Sequence, residues 1–315
     1  MDYRINQLID HALEAGRITG TVVLVYRDGQ PVFQRAAGFA DREANLSVQF
    51  DTIFRLASVT KPIVAATALA MIERGLLSLS DRVTDHLPWF HPKTANGETI
   101  DITIHQLLTH TSGLVYGPEI DDLPADRIDK GLGNTDLDFE ANFSRCNAIP
   151  LAFRPGTQWA YGFSTDILGA IIAKLHGGTL EDAVVHYVAG PLGMADTRFH
   201  VTDPGRLAVA YADAHPIPIR MPDPCTVVQE SSGWQGTFSP NRIFNPKAFQ
   251  SGGAGMAGTA GDIMSLLEAL RTGGKGVLKP ETIDMGFSNQ IGAIEREDPG
   301  MKFGYFGAVV EDPVL

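Results

Sequence analysis

Ile5, Leu8, Ile9, Ala12 and Leu13 recur at helical spacing, which predicts an N-terminal helix ended by Gly16 and Gly20. The period then shortens to that of a strand. Thr21–Tyr26 and Pro31–Ala36 flank Arg27-Asp28-Gly29-Gln30, and an Asp-Gly pair between apolar runs predicts an antiparallel hairpin packed on that helix. The next apolar run ends near Arg74. Pro62 lacks an N–H and belongs in a first helical turn, so this helix starts close to Ser58. Ile102–Leu108 opens another helix that stops at Thr111-Ser112-Gly113, and the chain to about Pro150, rich in Gly, Asp and Pro, predicts loops and short helices. After the Arg154-Pro155-Gly156 turn and Trp159–Ser164, an apolar helix carries Ile167, Leu168, Ile171, Ile172 and Leu175. Ala212–Gln250 holds Pro216, Pro218, Pro222, Pro224, Pro240 and Pro246 and is expected to be mostly irregular. A short amphipathic helix over Asp262–Arg271 and a late strand over Lys302–Val310 complete the pattern. The predicted fold class is α+β, an antiparallel sheet flanked by helices. Residues 1–76 and 241–315 form the sheet domain, and residues 77–240 a mostly helical insertion lying over the cleft.

Composition narrows the classes. With 315 residues, 44% hydrophobic and 20% charged, the chain reads as globular with ample core. Its net charge of −12 argues against nucleic acid or an anionic membrane as partner, because phosphate binding needs concentrated Lys and Arg. No run reaches about 18 consecutive apolar residues, and Met1-Asp2-Tyr3-Arg4-Ile5-Asn6 lacks the basic start and apolar core of a signal peptide. The expected location is cytoplasmic, with Cys146 and Cys225 reduced and unpaired.

Candidate chemistry centres on Ser58-Val59-Thr60-Lys61. Residues three apart share a helix face, so the Lys61 amine can reach the Ser58 hydroxyl, with both expected on the buried side. A serine hydroxyl is a weak nucleophile until a neighbour takes its proton, and only a neutral amine can do so. N–H groups at the start of a helix also favour the oxyanion of an attacked carbonyl. Other patterns carry less. Gly253-Ala254-Gly255-Met256-Ala257-Gly258 matches G-x-G-x-x-G, but Phe244–Ser251 before it is no strand, so a glycine-rich wall near the pocket is the better reading than a dinucleotide site. His105 and His110, like His86 and His91, are five apart, which suits solvated or capping side chains rather than metal ligands. No G-x-S-x-G occurs. The acidic runs Glu119-Ile120-Asp121-Asp122 and Glu295-Arg296-Glu297-Asp298 read as solvated loops.

Ser58-Val59-Thr60-Lys61, Ile104–Leu114, Pro155-Gly156 with Tyr161, and Gly252-Gly253-Ala254-Gly255-Met256 follow one another as in the serine β-lactamase and penicillin-binding-protein superfamily. Within it the chain most resembles the class C β-lactamase-related, or family VIII, carboxylesterases, from about residue 5 to 310. The resemblance implies a β-lactamase/transpeptidase-like fold and a serine hydrolase of carboxylic esters, with a small-molecule ester as substrate. It needs no cofactor and no metal. Ser58 would be acylated, with Lys61 and Tyr161 as the proton-transfer pair. Phe163, Tyr116 and Trp234 are the expected pocket walls. Two departures stand out. Phe163 occupies the place of an asparagine whose amide contacts lactam substrates, which favours an apolar ester. The third family motif, Lys-Thr-Gly, His-x-Gly or Trp-Gly-Gly, has no counterpart between Gly276 and Leu315, and Gly304-Tyr305-Phe306-Gly307, the nearest candidate, is expected to be ordinary sheet structure. A truncated chain, a missing continuation or a strand supplied by a second copy would each account for that. The alternatives are a β-lactamase or D-amino-acid peptidase and, in another class, a catalytically impaired binding scaffold or fragment.

Overall fold

The computed structural model describes residues 2–116, 128–201, 203–229 and 234–311. Helix α1 (Asp2–Glu14) forms as expected, and Gly16 at φ 65° makes the left-handed turn beyond it. Strands β1 (Gly20–Arg27) and β2 (Gln30–Asp41) then pair antiparallel. Asp28 and Gly29, at φ 52° and 76°, both lie in the left-handed region that a two-residue hairpin turn of type I′ requires. β3 (Leu46–Ser47) returns against β2, and Arg35 of β2 ties α1 to the sheet through Asn6 and Asp10.

A second pairing brings distant parts of the chain together. β4 (Ile53–Arg55) runs antiparallel to β9 (Ala257–Thr259). From β4 the chain passes through a 3₁₀ turn (Ala57–Val59) into α2 (Thr60–Glu73). Every residue of α2 from Ile63 to Met71 is buried, so this helix is apolar all round and forms the centre of the molecule. Around it stand α3 (Val83–His86), α4 (Ile104–Leu108), α5 (Phe139–Phe143), α6 (Ser164–His176) and α7 (Leu180–Val184), which widens into a π turn. One apolar cluster joins Leu69 of α2, Phe143 of α5 and Ile171 of α6, and Leu266 and Ile283 near the end of the chain.

The segment expected to be irregular differs from that reading. It holds two hairpins, β5 (Tyr211–Ala212) with β6 (Ile219–Arg220), and β7 (Cys225–Gln229) with β8 (Trp234–Phe238). The prolines all fall between or beyond these strands, where no ladder hydrogen bond is lost. After α8 (Ala260–Arg271) and α9 (Pro280–Gly286), the single late strand is instead an antiparallel pair, β10 (Met301–Phe303) and β11 (Ala308–Val310), joined by Gly304–Gly307. Glu295 and Asp298 are exposed, whereas Arg296 between them is 9% exposed and lies 4.3 Å over the Trp159 ring. The run Glu119–Asp122 lies outside the described residues. Cys146 and Cys225 are free and buried. Among the described residues, no helix is long and apolar enough to cross a membrane.

Candidate active site

Ser58 is presented where a strand pairing stops. Leu56 N–H donates to Met256 O at 2.8 Å, and Ala57 then turns to φ 44°, a left-handed conformation that costs a non-glycine residue about 1 kcal/mol. Ser58 emerges exposed, which corrects the expectation of a buried side chain, while Lys61 one turn later is 9% exposed. The two meet at 3.3 Å, Nζ to Oγ. Lys61 Nζ also donates to Gly253 O at 2.8 Å, and Met256 N–H donates to Thr60 Oγ1 at 3.1 Å. The glycine-rich segment is thus fastened to the first turn of α2 at two points.

Tyr161 reaches the same place from a loop pairing. Ala160 N–H donates to His110 O at 3.1 Å, and Gly156 N–H to Thr111 O at 2.7 Å. Gly162 N–H donates to His110 Nδ1 at 3.4 Å, and a side chain at 162 would strike the Leu114 carbonyl. The Lys61 amine lies 4.5 Å from the Tyr161 ring centroid, a cation–π distance, and the Tyr161 ring is 39% exposed. His110 packs 4.9 Å from it, ring to ring. His110 is not solvated, as its spacing suggested, but 3% exposed. Burial first, then the charges of Lys61 and Arg296, push its pKa down to about 3. It is a neutral ring acting as acceptor and wall. His105, also shifted down by burial, bonds the Tyr305 hydroxyl at 2.9 Å through Nδ1.

These groups line a cavity of about 200 Å³. Its lining includes Ser58, Lys61, His110, Tyr161 and Thr165 and, from the β10–β11 region, Phe303, Tyr305, Phe306 and Gly307. The second set was missed: Gly304–Gly307 is a turn that supplies the cavity's aromatic wall, not ordinary sheet. Its signal in the sequence was the alternation of aromatic and glycine residues over Phe303–Gly307. The three expected walls fare differently. Tyr116 stands 5.9 Å from the Tyr161 ring, with Lys61 Nζ 6.0 Å from its centroid, and burial pushes its phenol up. Lys130 lies 5.6 Å from the same ring, its pKa lowered to about 8 by burial. Phe163 is a correction: it is 2% exposed and stacked 5.9 Å from Phe143. It sits behind the wall, its ring 6.3 Å from that of Tyr116. Trp234 opens β8, and its side chain lies outside the described residues. Among the described residues, no group of three or more His, Cys, Asp or Glu side chains is placed to hold a metal ion.

Known proteins resemble this chain in sequence and in fold. Residues 5–313 match the Beta-lactamase family model. Esterase EstB of Burkholderia gladioli is 44% identical over 98% of this chain and 80% of that protein. The structure of EstCE1, described as a hydrolase with promiscuous acyltransferase activity, superposes with a TM-score of 0.92 at 37% identity, covering 98% of this chain and 83% of that one. An octameric penicillin-binding protein homologue from Pyrococcus abyssi shares the fold, with a TM-score of 0.73 at 19% identity over 98% of this chain and 65% of that one.

Proposed function

The chain belongs to the beta-lactamase family, and from that premise we propose that it hydrolyses small carboxylic esters as a family VIII carboxylesterase, through an acyl-enzyme on Ser58. The carrying observation is the 3.3 Å approach of Lys61 Nζ to Ser58 Oγ at the mouth of an aromatic cavity. A neutral Lys61 amine that gives one N–H to Gly253 O turns its lone pair toward the Ser58 hydroxyl. As Oγ bonds to the ester carbonyl carbon, its proton passes to Nζ and the carbonyl electron pair moves onto oxygen. N–H groups at the start of α2 favour that oxyanion. The C–O bond to the alcohol then breaks, with Tyr161 returning the proton from Lys61 to the leaving oxygen. Water releases the acid by the same steps in reverse order. The site needs no cofactor for this sequence.

The name of EstB, an esterase, supports an ester substrate, and the hydrolase and acyltransferase activity given for EstCE1 accords with an acyl-enzyme. The lining also supports an ester, for among the described residues it holds no asparagine or glutamine side chain to bind a lactam or peptide amide. The two buried, unpaired cysteines accord with a cytoplasmic setting. Intact-mass spectrometry with a fluorophosphonate and p-nitrophenyl butyrate tests the reading. Wild type is expected to gain one label, and Ser58→Ala none, with hydrolysis reduced about 10³-fold or more. Labelling that persists in Ser58→Ala would sink the assignment.

A further inference from the structure

Asp166 is a buried carboxyl group that the reaction above does not use. It stands in the first turn of α6, 0% exposed, and is the one acidic residue of that helix. Its Oδ1 accepts the Ser251 hydroxyl at 2.5 Å and the Gly253 N–H at 3.2 Å. Its Oδ2 has no hydrogen-bond partner among the described residues. Gly253 is therefore held at its N–H by Asp166 and at its carbonyl by Lys61. The packing leaves no slack: a Cβ at 253 would lie 2.5 Å from Asp166 Oδ2, and one at 252 would strike the Thr165 carbonyl. This is why the wall begins with two glycines.

Resting on the esterase reading, we propose that Asp166 is a positioning residue for the Ser58–Lys61 pair. Through Gly253 it fixes the Lys61 amine, and its negative charge offsets the ammonium that forms there when the Ser58 proton arrives. If tethering Ser251 and Gly253 were the whole role, an asparagine would accept the same two hydrogen bonds without a buried charge, which is costly in a dry interior. The positive end of α6 meets part of that cost. Among the described residues, two cations face the carboxylate, Arg242 and Lys61. Arg242 already serves the Gly133 and Phe249 carbonyls and Asp129, which leaves Lys61 as the cation whose charge comes and goes during the reaction. Burial draws a proton toward Asp166, while Ser251, Lys61 and Gly253 oppose it. Among the described residues, the other titratable groups facing the pair are Tyr116, Tyr161 and the neutral His110 around Lys61, and Cys146 beside Asp166.

The test compares wild type, Asp166→Asn and Ser251→Ala in hydrolysis of p-nitrophenyl butyrate across pH, alongside urea unfolding. Without the negative charge the ammonium on Lys61 is disfavoured, so the amine stays neutral to lower pH but is a weaker base. Asp166→Asn is expected to keep KM within about threefold, lose about 10–100-fold in kcat, and move the acid limb of kcat/KM about one pH unit lower. Its urea midpoint should not fall. Ser251→Ala keeps the charge and should leave the limb in place. An Asp166→Asn enzyme with unchanged kcat and limb overturns the proposal. So does one whose rate falls only alongside its urea midpoint, with the limb unmoved. Ser58→Ala and Lys61→Ala run in parallel, and activity surviving in either would instead overturn the esterase reading.

Discussion

At the scale of single residues, Ser58 and Lys61 were legible because both lie on one helical turn, whose geometry the sequence spacing states directly. His110 and Asp166 were not. His110 lies on a turn whose burial depends on Trp159, Tyr161 and Phe303 folding onto it, and Asp166 is joined to a wall 85 and 87 residues away. A lone acid in an apolar helix was the available sign. His110 also carries a consequence for stability. Its ring is buried in the neutral form, with pKa about 3 when folded against 6.5 when exposed. Between those values the unfolded chain binds more protons, so the stability present above pH 6.5 is lost as pH falls toward 3. At ~1.4 kcal/mol per unit the loss from pH 7 to pH 5 is about 2 kcal/mol. Asp129 and Asp166 are shifted up by burial and act with the opposite sign, their contribution being lost as pH rises through their folded values. The informative quantity is therefore the difference between wild type and His110→Asn, which keeps an acceptor for Gly162 N–H. Wild-type urea stability should fall about 2 kcal/mol further than the variant's between pH 7 and pH 5; parallel curves would contradict the buried neutral imidazole.

At the scale of elements, patterns written into neighbouring residues were recovered: α1, the β1–β2 hairpin with its Asp-Gly turn, α2 behind Pro62, α6 and α8. The β7–β8 hairpin and the turn between β10 and β11 were lost, the first because prolines on its flanks masked it, the second because its aromatic residues suited a strand equally well. The start of α8 shows what holds such pieces in place. Thr259 Oγ1 caps the helix by accepting Asp262 N–H at 3.1 Å, and Asp262 Oδ2 accepts Asp196 N–H at 2.9 Å and the Thr197 hydroxyl at 2.8 Å. Thr197 is 0% exposed, so removing the carboxylate strands buried donors. Asp262→Ala should cost about 2–3 kcal/mol in urea unfolding, and a cost below about 0.5 kcal/mol would show that the cap does not secure this junction. Because β9 lies between Asp262 and the wall that holds Lys61, kcat at 25 °C should change far less than stability.

At the scale of the whole molecule, the chain order that separates residues 1–76 and 241–315 from residues 77–240 does not separate their interiors. Helix α2 belongs to the first part by sequence, yet Leu69 and Met71 share one apolar cluster with Leu107, Phe143 and Ile171 of the second, and with Ile283 and Tyr305 near the end. The site repeats the arrangement, for Asp166 of the second part bonds Ser251 and Gly253 of the first. Such contacts leave no local pattern, which is why the site's supports were harder to read than its candidate reacting groups. Neither part can open without exposing the face of α2 that the other also covers, so the two should unfold as one cooperative unit. Far-ultraviolet circular dichroism follows the helices throughout, while tryptophan fluorescence reports Trp89, Trp159 and Trp234, all within residues 77–240. Their urea transitions should coincide in midpoint and slope. A fluorescence transition that precedes the dichroism would mean that the insertion opens first, and would place α2 with the sheet alone.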